Sequence, residues 1–325
     1  MEEKLNNQLP DVAIVIVSWN TKDLLRKCLK SVYDETKKYT FEIWVVDNDS
    51  PDNSAGMVAE EFPEVKLIAN KTNNGFAPAN NQALRVADAK NYLLLNPDTV
   101  VLNGAIDKML DYMYEHKPGT VTCKLLNDDM TLQKSVNNFF SLWRSFFENR
   151  FFAEIFQNFS LSGSMFMSYW DHNELREIDW AYGAVILFSR EVYDKVGILD
   201  DRYYIYAEEM DFFMRVKKAG YKSVFLPEVH IIHYGKSSSR QRRAEMFIMN
   251  YKSFYMFLRK NYPSHVYPIY RARTVFYLYL WLLKFNTDVF IAKLKGKRNE
   301  EALTQIDVYT RTLQWHKSPE SEIPV

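Results

Sequence analysis

The apolar positions of the first hundred residues fall into short runs, Val12–Val17, Phe41–Val46, Val65–Ala69 and Tyr92–Leu95. Apolar character over so few residues suits strands buried on both faces of a parallel sheet. The stretches between them have helical spacing. Leu24, Leu25, Cys28, Leu29 and Val32 follow Thr21, which is placed to cap their helix. A short helix is predicted over about 54–62. A third, with Ala83, Leu84 and Ala87 inward, follows the turn Asn73-Asn74-Gly75. Four strands alternating with three helices predict a doubly wound α/β sheet.

Each run stops in polar residues: Ser18 and Asn20, then Asp47-Asn48, then Asn70, then Asn96-Pro97-Asp98. Pro97 cannot continue a central strand. Ligands of open α/β sheets bind beyond the carboxyl ends of the strands. These polar residues are therefore expected to converge on one crevice, although each alone is also an ordinary turn or cap residue.

The second half predicts a helix from Ala105 to about His116, a strand near Val121–Leu125 and one apolar strand over Trp180–Phe188. Gly183 within that strand reads as a close approach of backbone to ligand or as a bulge. A helix over Arg190–Val196 should end at Gly197, and Lys222–Ile232 is a last strand ending at His233. Phe139–Phe156 places apolar residues three and four apart, an amphipathic helix or pair of helices that packs on the sheet or meets a lipid-linked acceptor. Beyond Ser239, Ala244–Lys260 looks helical and Tyr267–Leu283 is rich in Tyr, Phe, Leu and Trp. Lys293, Lys295, Lys297 and Arg298 follow. That combination suits a helix in the membrane interface; a helix packing on the domain or forming a dimer would look similar. The expected organisation is 1–239 as the α/β domain, with 11–101 its nucleotide-binding half and 102–239 its acceptor half. A helical extension over 240–315 and a disordered tail over 316–325 complete it.

Composition narrows the class. The chain has 325 residues, 47% of them hydrophobic and 25% charged, which is globular. Lys and Arg total 41 against 41 Asp and Glu, so no net field attracts nucleic acid. Cys28 and Cys123 form neither a metal-ligand pair nor a disulfide framework, which fits a reducing, cytoplasmic setting. Met1–Pro10 lacks the pattern of a secretory signal. No run reaches 18 uncharged apolar residues, so a spanning helix is not expected.

Neither a glycine-rich dinucleotide fingerprint nor a P-loop follows the first strand. In the crevice, Asp47 could accept hydrogen bonds from a base edge, Asn and Ser could reach a ribose, and Asp98 could hold a cation on phosphates. That reads as a site for a mononucleotide diphosphate with metal. Glu208, Glu209 and Asp211 crowd the start of a predicted helix, where they serve the helix dipole or supply a general base. His233 is an ordinary histidine or a neutral imidazole for the same cation as Asp98.

At this point the chain resembles glycosyltransferase family 2, with the GT-A fold, and most closely its bacterial rhamnosyltransferase-like branch. The matching pieces are Val15-Ile16-Val17-Ser18-Trp19-Asn20, Val46-Asp47-Asn48-Asp49-Ser50, Asn73-Asn74-Gly75-Phe76 with Asn80, and Asn96-Pro97-Asp98. Gly183-Ala184, Tyr206-Ala207-Glu208-Glu209-Met210-Asp211 with Lys218-Ala219-Gly220-Tyr221, and His233-Tyr234-Gly235-Lys236-Ser237 follow. The resemblance implies a mixed, mostly parallel Rossmann-like sheet flanked by helices, and inverting transfer of a sugar from a nucleoside diphosphate. Asp47 would recognise the base, with Ser18 and Asn20 beside it and Asn96 near the ribose. Asn48, Asn74, Gly75, Asn80 and Gly183 would belong to the donor side. Asp98 and His233 would hold Mn or Mg. Glu209 falls where the family usually has its aspartate base, so its extra methylene leaves Glu208 and Asp211 as further candidates. Asn96 replaces the first aspartate of the metal element. The implied partners are a dTDP- or UDP-linked sugar and a glycan or polyprenyl-linked acceptor, with a peripheral membrane contact at the inner face of the plasma membrane. A sugar-nucleotide pyrophosphorylase is the rival enzyme, and a catalytically degenerate assembly partner the non-enzymatic one.

Overall fold

The computed structural model describes residues 9–147, 167, 170–235 and 243–321. They form two compact units. One takes the described residues up to Phe139, from 167 to Tyr204, and from Glu208 to 235. The other takes 140–147, Ile205–Ala207 and 243–321.

The first unit contains, in chain order, β1 (Val12–Ser18), α1 (Lys22–Glu35), β2 (Phe41–Asp47), α2 (Ser54–Glu61), β3 (Lys66–Ala69), α3 (Phe76–Val86), β4 (Asn91–Leu95), β5 (Thr99–Val101), α4 (Ala105–His116), β6 (Thr120–Leu126), β7 (Leu132–Gln133), β8 (Val136–Asn137), β9 (Arg176–Ile178), β10 (Trp180–Ala181), β11 (Val185–Ser189), α5 (Arg190–Val196), α6 (Glu208–Lys218) and β12 (Ser223–His233). The main sheet runs β3-β2-β1-β4-β11-β6-β12-β5, with β7 on β6 and β9 on β12. β1 to β4 are mutually parallel, β11 runs against β4 and β6, β12 runs with β6, and β5 runs against β12. Six strands thus point the same way, the mixed, mostly parallel sheet expected. β1 and β4 are buried along their whole length, which is why their sequences do not alternate. Ile14, Ile16, Leu93 and Leu95 share a core with Leu25 and Leu29 of α1 and Met109 of α4. Each such side chain contributes roughly 1.5–3 kcal/mol by leaving water.

Three details depart from the sequence reading. Trp180–Phe188 is two strands. Trp180 and Ala181 pair with Asn137 and Val136 of β8, and the chain then bends at 182–184 before Val185 pairs with Leu95. Thr21 stands at the N-cap of α1 but its side chain caps nothing there; its hydroxyl pairs with that of Ser18 at 2.9 Å. Thr99–Val101 forms a short strand, β5, that reading omitted.

The second unit holds α7 (Arg243–Asn261), α8 (Val266–Leu294), α9 (Glu300–Lys317) and a short helix over Leu142–Phe147. Phe140 anchors the inserted segment, packing edge-on against Phe254, Tyr262 and Tyr270 at 5.2–5.6 Å between ring centres. Of the amphipathic stretch expected over Phe139–Phe156, residues 148–156 lie outside the described residues, as do Lys236 and Ser237 of the last motif. The tail expected at 316–325 is corrected for its described residues, 316–321. His316 closes α9, is buried, and accepts the Tyr255 hydroxyl at 2.7 Å while giving its other ring proton to the Thr312 carbonyl; a turn over Pro319–Ser321 follows. α8 is continuous over 29 residues, and Lys284 and Asp288, one turn apart, pair at 3.3 Å within its apolar run. An 18-residue window of it has mean hydropathy 1.3, long and apolar enough to cross a membrane by length and composition. One face of α8, with Leu278 and Trp281, is buried. Another leaves Phe276, Tyr279, Leu283, Phe290 and Leu294 exposed at three-, four- and seven-residue intervals.

Candidate active site

Strand direction builds the site. The carboxyl ends of β1, β2, β4, β6 and β12 lie at one end of the sheet, so Ser18, Asp47, Asn96, Asn127 and His233 are delivered there from distant parts of the chain.

On the nucleotide side, Ser18 and Asp47 are register partners on β1 and β2, both buried. Asp47 Oδ2 accepts the Ser50 N–H at 3.0 Å, while its buried Oδ1 has no partner among the described residues. A buried acceptor left open costs free energy unless a ligand donor meets it. Asn20 is exposed in left-handed backbone, its N–H held by Ser50 Oγ at 3.0 Å. Asn48 has a different role from the ligand contact expected. Its amide donates to Asn73 Oδ1 and the Gly75 carbonyl, and accepts from Asn70 Nδ2 and the Asn74 N–H, all at 3.0–3.1 Å. Both amide protons and both lone pairs are used, so Asn48 shapes the 70–75 loop. Gly75 is required there: its φ is +91°, and a Cβ would lie 2.4 Å from the Tyr204 carbonyl oxygen, which accepts the Phe76 N–H. Asn74 is exposed on this loop, and Asn80 is buried with its amide on the Phe76 carbonyl at 2.9 Å.

At the centre, the Asn96 N–H donates to the Ala184 carbonyl at 2.9 Å, joining the Asn96-Pro97-Asp98 turn to the segment after Gly183. Ladder pairing of Thr99 with His233 sets Asp98 beside the imidazole, with Oδ1 3.3 Å from Nε2. Asn96 Nδ2 also lies 3.3 Å from Nε2, and Asn96 Oδ1 is buried without a partner among the described residues. The opposite ring nitrogen, Nδ1, meets Gln133 Oε1 at 2.6 Å. These residues fit a hard divalent cation. Adjacent ligands of an octahedral ion, each at about 2.0–2.6 Å, stand roughly 3–3.7 Å apart. One carboxylate and one imidazole leave the remaining positions to water and diphosphate oxygens. Cys28 lies beneath the turn, its thiol 3.4 Å from Thr99 Oγ1 and pushed up to about 12 by burial, an inert packing group.

Across the site, α6 starts directly after Tyr206 and Ala207, consecutive non-glycine residues with φ of +70° and +66°. Left-handed backbone costs such residues roughly 1–2 kcal/mol each, a strain often found at functional sites. Glu208 and Glu209 follow, hydrogen-bonded to each other through their carboxyls, and each keeps a buried Oε2 without partner among the described residues. Burial pushes Glu209 up to about 7. Burial, and then the neighbouring charge of Glu209, raises Glu208 well above the usual carboxylate range. A Cβ on Gly183 would sit 3.8 Å from Glu209 Cβ and 3.6 Å from Phe76 Cε1, ordinary contact, so Gly183 lies against the stem of Glu209. Gly183-Ala184 thus links Glu209 to Asn96, and the acidic pair and the Asp98–His233 pair belong to the same end of the sheet. Asp211 is removed from the candidate bases. It is fully buried and pairs with Arg215 Nε at 2.9 Å, and that guanidinium also ties the Val196 and Ile198 carbonyls.

The fold is that of the GT-A glycosyltransferases. The model of glycosyl transferase family 2 matches residues 13–172, and that of glycosyl transferase family group 2 matches 93–295. The chain belongs to glycosyl transferase family group 2, whose model covers more than half of it. It is similar to the N-acetylglucosaminyl-diphospho-decaprenol L-rhamnosyltransferase of Mycobacterium tuberculosis, at 24% identity over 75% of this chain and 83% of that protein. It is also similar to the rhamnosyltransferase WbbL of Escherichia coli, at 23% over 77% and 93%. A mannosyltransferase from Pyrobaculum calidifontis, solved with GDP-Man and Mn2+, shares the fold with TM-score 0.52 and 16% identity over 96% of this chain and 89% of that one.

Proposed function

We propose that this glycosyltransferase moves a sugar, rhamnose by analogy with its relatives, from a dTDP- or UDP-linked donor to a hydroxyl of a glycan or polyprenyl-linked acceptor in cell-surface polysaccharide synthesis, with inversion at the anomeric carbon. The observation that carries it is the pairing of a carboxylate raised to about 7, Glu209, with the Asp98–His233 pair at the same sheet end. Glu209 takes the acceptor's hydroxyl proton, and the acceptor oxygen bonds to C1 of the sugar from the face opposite the diphosphate. The C1–O bond breaks, and its electron pair leaves with the diphosphate. A base near the working pH contributes typically 10²–10⁴-fold. Asp98 and His233 would hold a Mn2+ or Mg2+ ion, which supplies positive charge for the leaving diphosphate without a proton. Asp47 Oδ1 is the acceptor proposed for a donor N–H of the base, which suits an imide edge. Asn96 Oδ1 faces the ribose, and Asn48 and Gly75 hold the loop that frames the nucleotide.

We further propose that the enzyme works on the cytoplasmic face of the plasma membrane as a peripheral protein. The exposed apolar stripe of α8 leads into exposed Lys293, Lys295 and Lys297. Exposed charges on α9, including Glu301, Asp307 and Arg311, favour a helix lying on the bilayer rather than through it. Co-sedimentation with anionic vesicles should require the three lysines. Binding undiminished by their replacement with glutamate would reject the role of the lysines, and wild type that fails to co-sediment would reject the contact.

The functional test is a panel of UDP, dTDP and GDP with Mn2+ or Mg2+, read by thermal shift and by hydrolysis of the corresponding nucleotide sugars. Stabilisation and slow donor hydrolysis are expected with one pyrimidine diphosphate. Failure of every nucleotide to stabilise the protein would favour a non-catalytic assembly role.

A further inference from the structure

We propose that Gln133 is a positioning residue that locks His233 as its Nδ1–H tautomer and so turns the Nε2 lone pair toward Asp98, where the cation of the proposed function would sit. The inference rests on that reading of Asp98 and His233 and adds a residue that neither the motifs nor the comparisons assign.

A polar relay fixes the orientation of each member. Asp129 Oδ1 accepts both the Thr131 hydroxyl at 2.5 Å and its N–H at 3.0 Å. With its proton given away, the Thr131 oxygen accepts from Asn127 Nδ2 at 2.9 Å. Asn127 therefore presents its carbonyl oxygen to Gln133, whose Nε2 donates to it at 3.1 Å and to the His233 backbone carbonyl at 3.0 Å. Both partners are acceptors only, so Gln133 Oε1 must be the atom that faces His233 Nδ1, and at 2.6 Å that nitrogen bears the proton. In the neutral ring the other nitrogen, Nε2, then carries a lone pair. It accepts from Asn96 Nδ2 at 3.3 Å and faces a carboxylate oxygen of Asp98 at the same distance. A lone pair and a carboxylate held 3.3 Å apart repel unless positive charge lies between them.

The backbone makes the relay rigid. Gln133 sits on β7, paired with Leu125 of β6, across the 127–131 turn, so its side chain is aimed by a hairpin rather than a free loop. Partners that hold the far nitrogen of a ligating imidazole fix its tautomer and ring orientation, and their loss typically costs 10–100-fold in metal affinity.

The test compares wild type, Gln133→Met and Gln133→Glu. Mn2+ affinity is read by the electron paramagnetic resonance of free Mn2+ with UDP present, and the tautomer by long-range proton–nitrogen spectra of 15N-histidine protein with Mg2+ and UDP. Wild type should show the proton of His233 on Nδ1. Gln133→Met, of nearly the same size, should lose that signature and bind Mn2+ 10–100-fold more weakly with its melting temperature nearly unchanged. Gln133→Glu, which still offers an acceptor to Nδ1–H, should keep the signature. Unchanged Mn2+ affinity in Gln133→Met, or a wild-type ring protonated on Nε2, overturns the proposal. Absence of Mn2+ binding in wild type would overturn the metal role of Asp98 and His233 together with it.

Discussion

Glu208 and Glu209 share a hydrogen bond between their carboxyls at the start of α6, with a buried oxygen on each left unpaired among the described residues. Two adjacent acids in a poorly solvated place do not both ionise readily, so they titrate as a unit with one proton held between them. On the proposed reading, Glu209 must lose that proton before it can take one from an acceptor hydroxyl.

The first consequence concerns rate. With Glu209 raised to about 7, kcat/KM should climb as pH increases through about 7 and level off above it. Glu209→Gln should bind donor normally and transfer about 10²–10⁴-fold more slowly. A profile flat from pH 5 to 9 would take the base role away from this residue.

The same burial sets an opposite trend in stability. A carboxyl whose folded value lies above its ordinary 4.5 binds protons more tightly when folded. The stability it contributes is therefore complete below about 4.5 and is lost as pH rises through about 7. Melting temperature should fall over that window. Glu209→Gln should flatten the dependence and melt higher than wild type at pH 8, which calorimetry would read directly.

Asp47→Asn separates recognition from folding. One side-chain oxygen remains for the Ser50 N–H, but an NH2 replaces the open Oδ1. A base N–H would then meet a donor, and the loss of a hydrogen bond to a charged group is about 1.5–3 kcal/mol. Donor KM should rise roughly ten- to hundredfold with kcat and melting temperature nearly unchanged. A fall confined to kcat would place the base elsewhere.

Two glycines should respond differently. Gly75→Ala forces a Cβ onto the Tyr204 carbonyl at 2.4 Å with φ at +91°, so denaturation should show a loss of about 2–4 kcal/mol. Gly183→Ala makes only ordinary contacts, at 3.6–3.9 Å. It should fold normally yet slow transfer, because the added methyl packs against the stem of Glu209 and the Phe76 ring. Undiminished transfer in Gly183→Ala would show that the contact at Glu209 plays no part.

The parallel half of the sheet was legible because strands buried on both faces leave unbroken apolar runs, and strand direction alone gathers Ser18, Asp47 and Asn96. What the residues do once gathered was less visible. Asn48 looks like a donor contact and Asp211 like a base in a string of letters, but packing spends their polar atoms on the 70–75 loop and on Arg215. Gln133 lies on a strand of two residues, too short to produce a period, and its partner in contact is 100 positions away. The break at Gly183 was hidden because β10 and β11 are both apolar and separated by three residues. The end of α9 was misread because His316 is polar in sequence and buried in fact, satisfied by Tyr255 and Thr312.

Asn96 and His233 stand 137 positions apart, yet the turn that carries Asn96 and Asp98 is clipped to β12 by the three rungs of β5. The placing of Asn96 and Asp98 against His233 is therefore set by main-chain pairing, not by the length of what lies between. Segments within that span are free to be lengthened, traded or recoloured without loosening it. Descendants of such a chain could drift from one acceptor to another while keeping the same hold on the activated sugar.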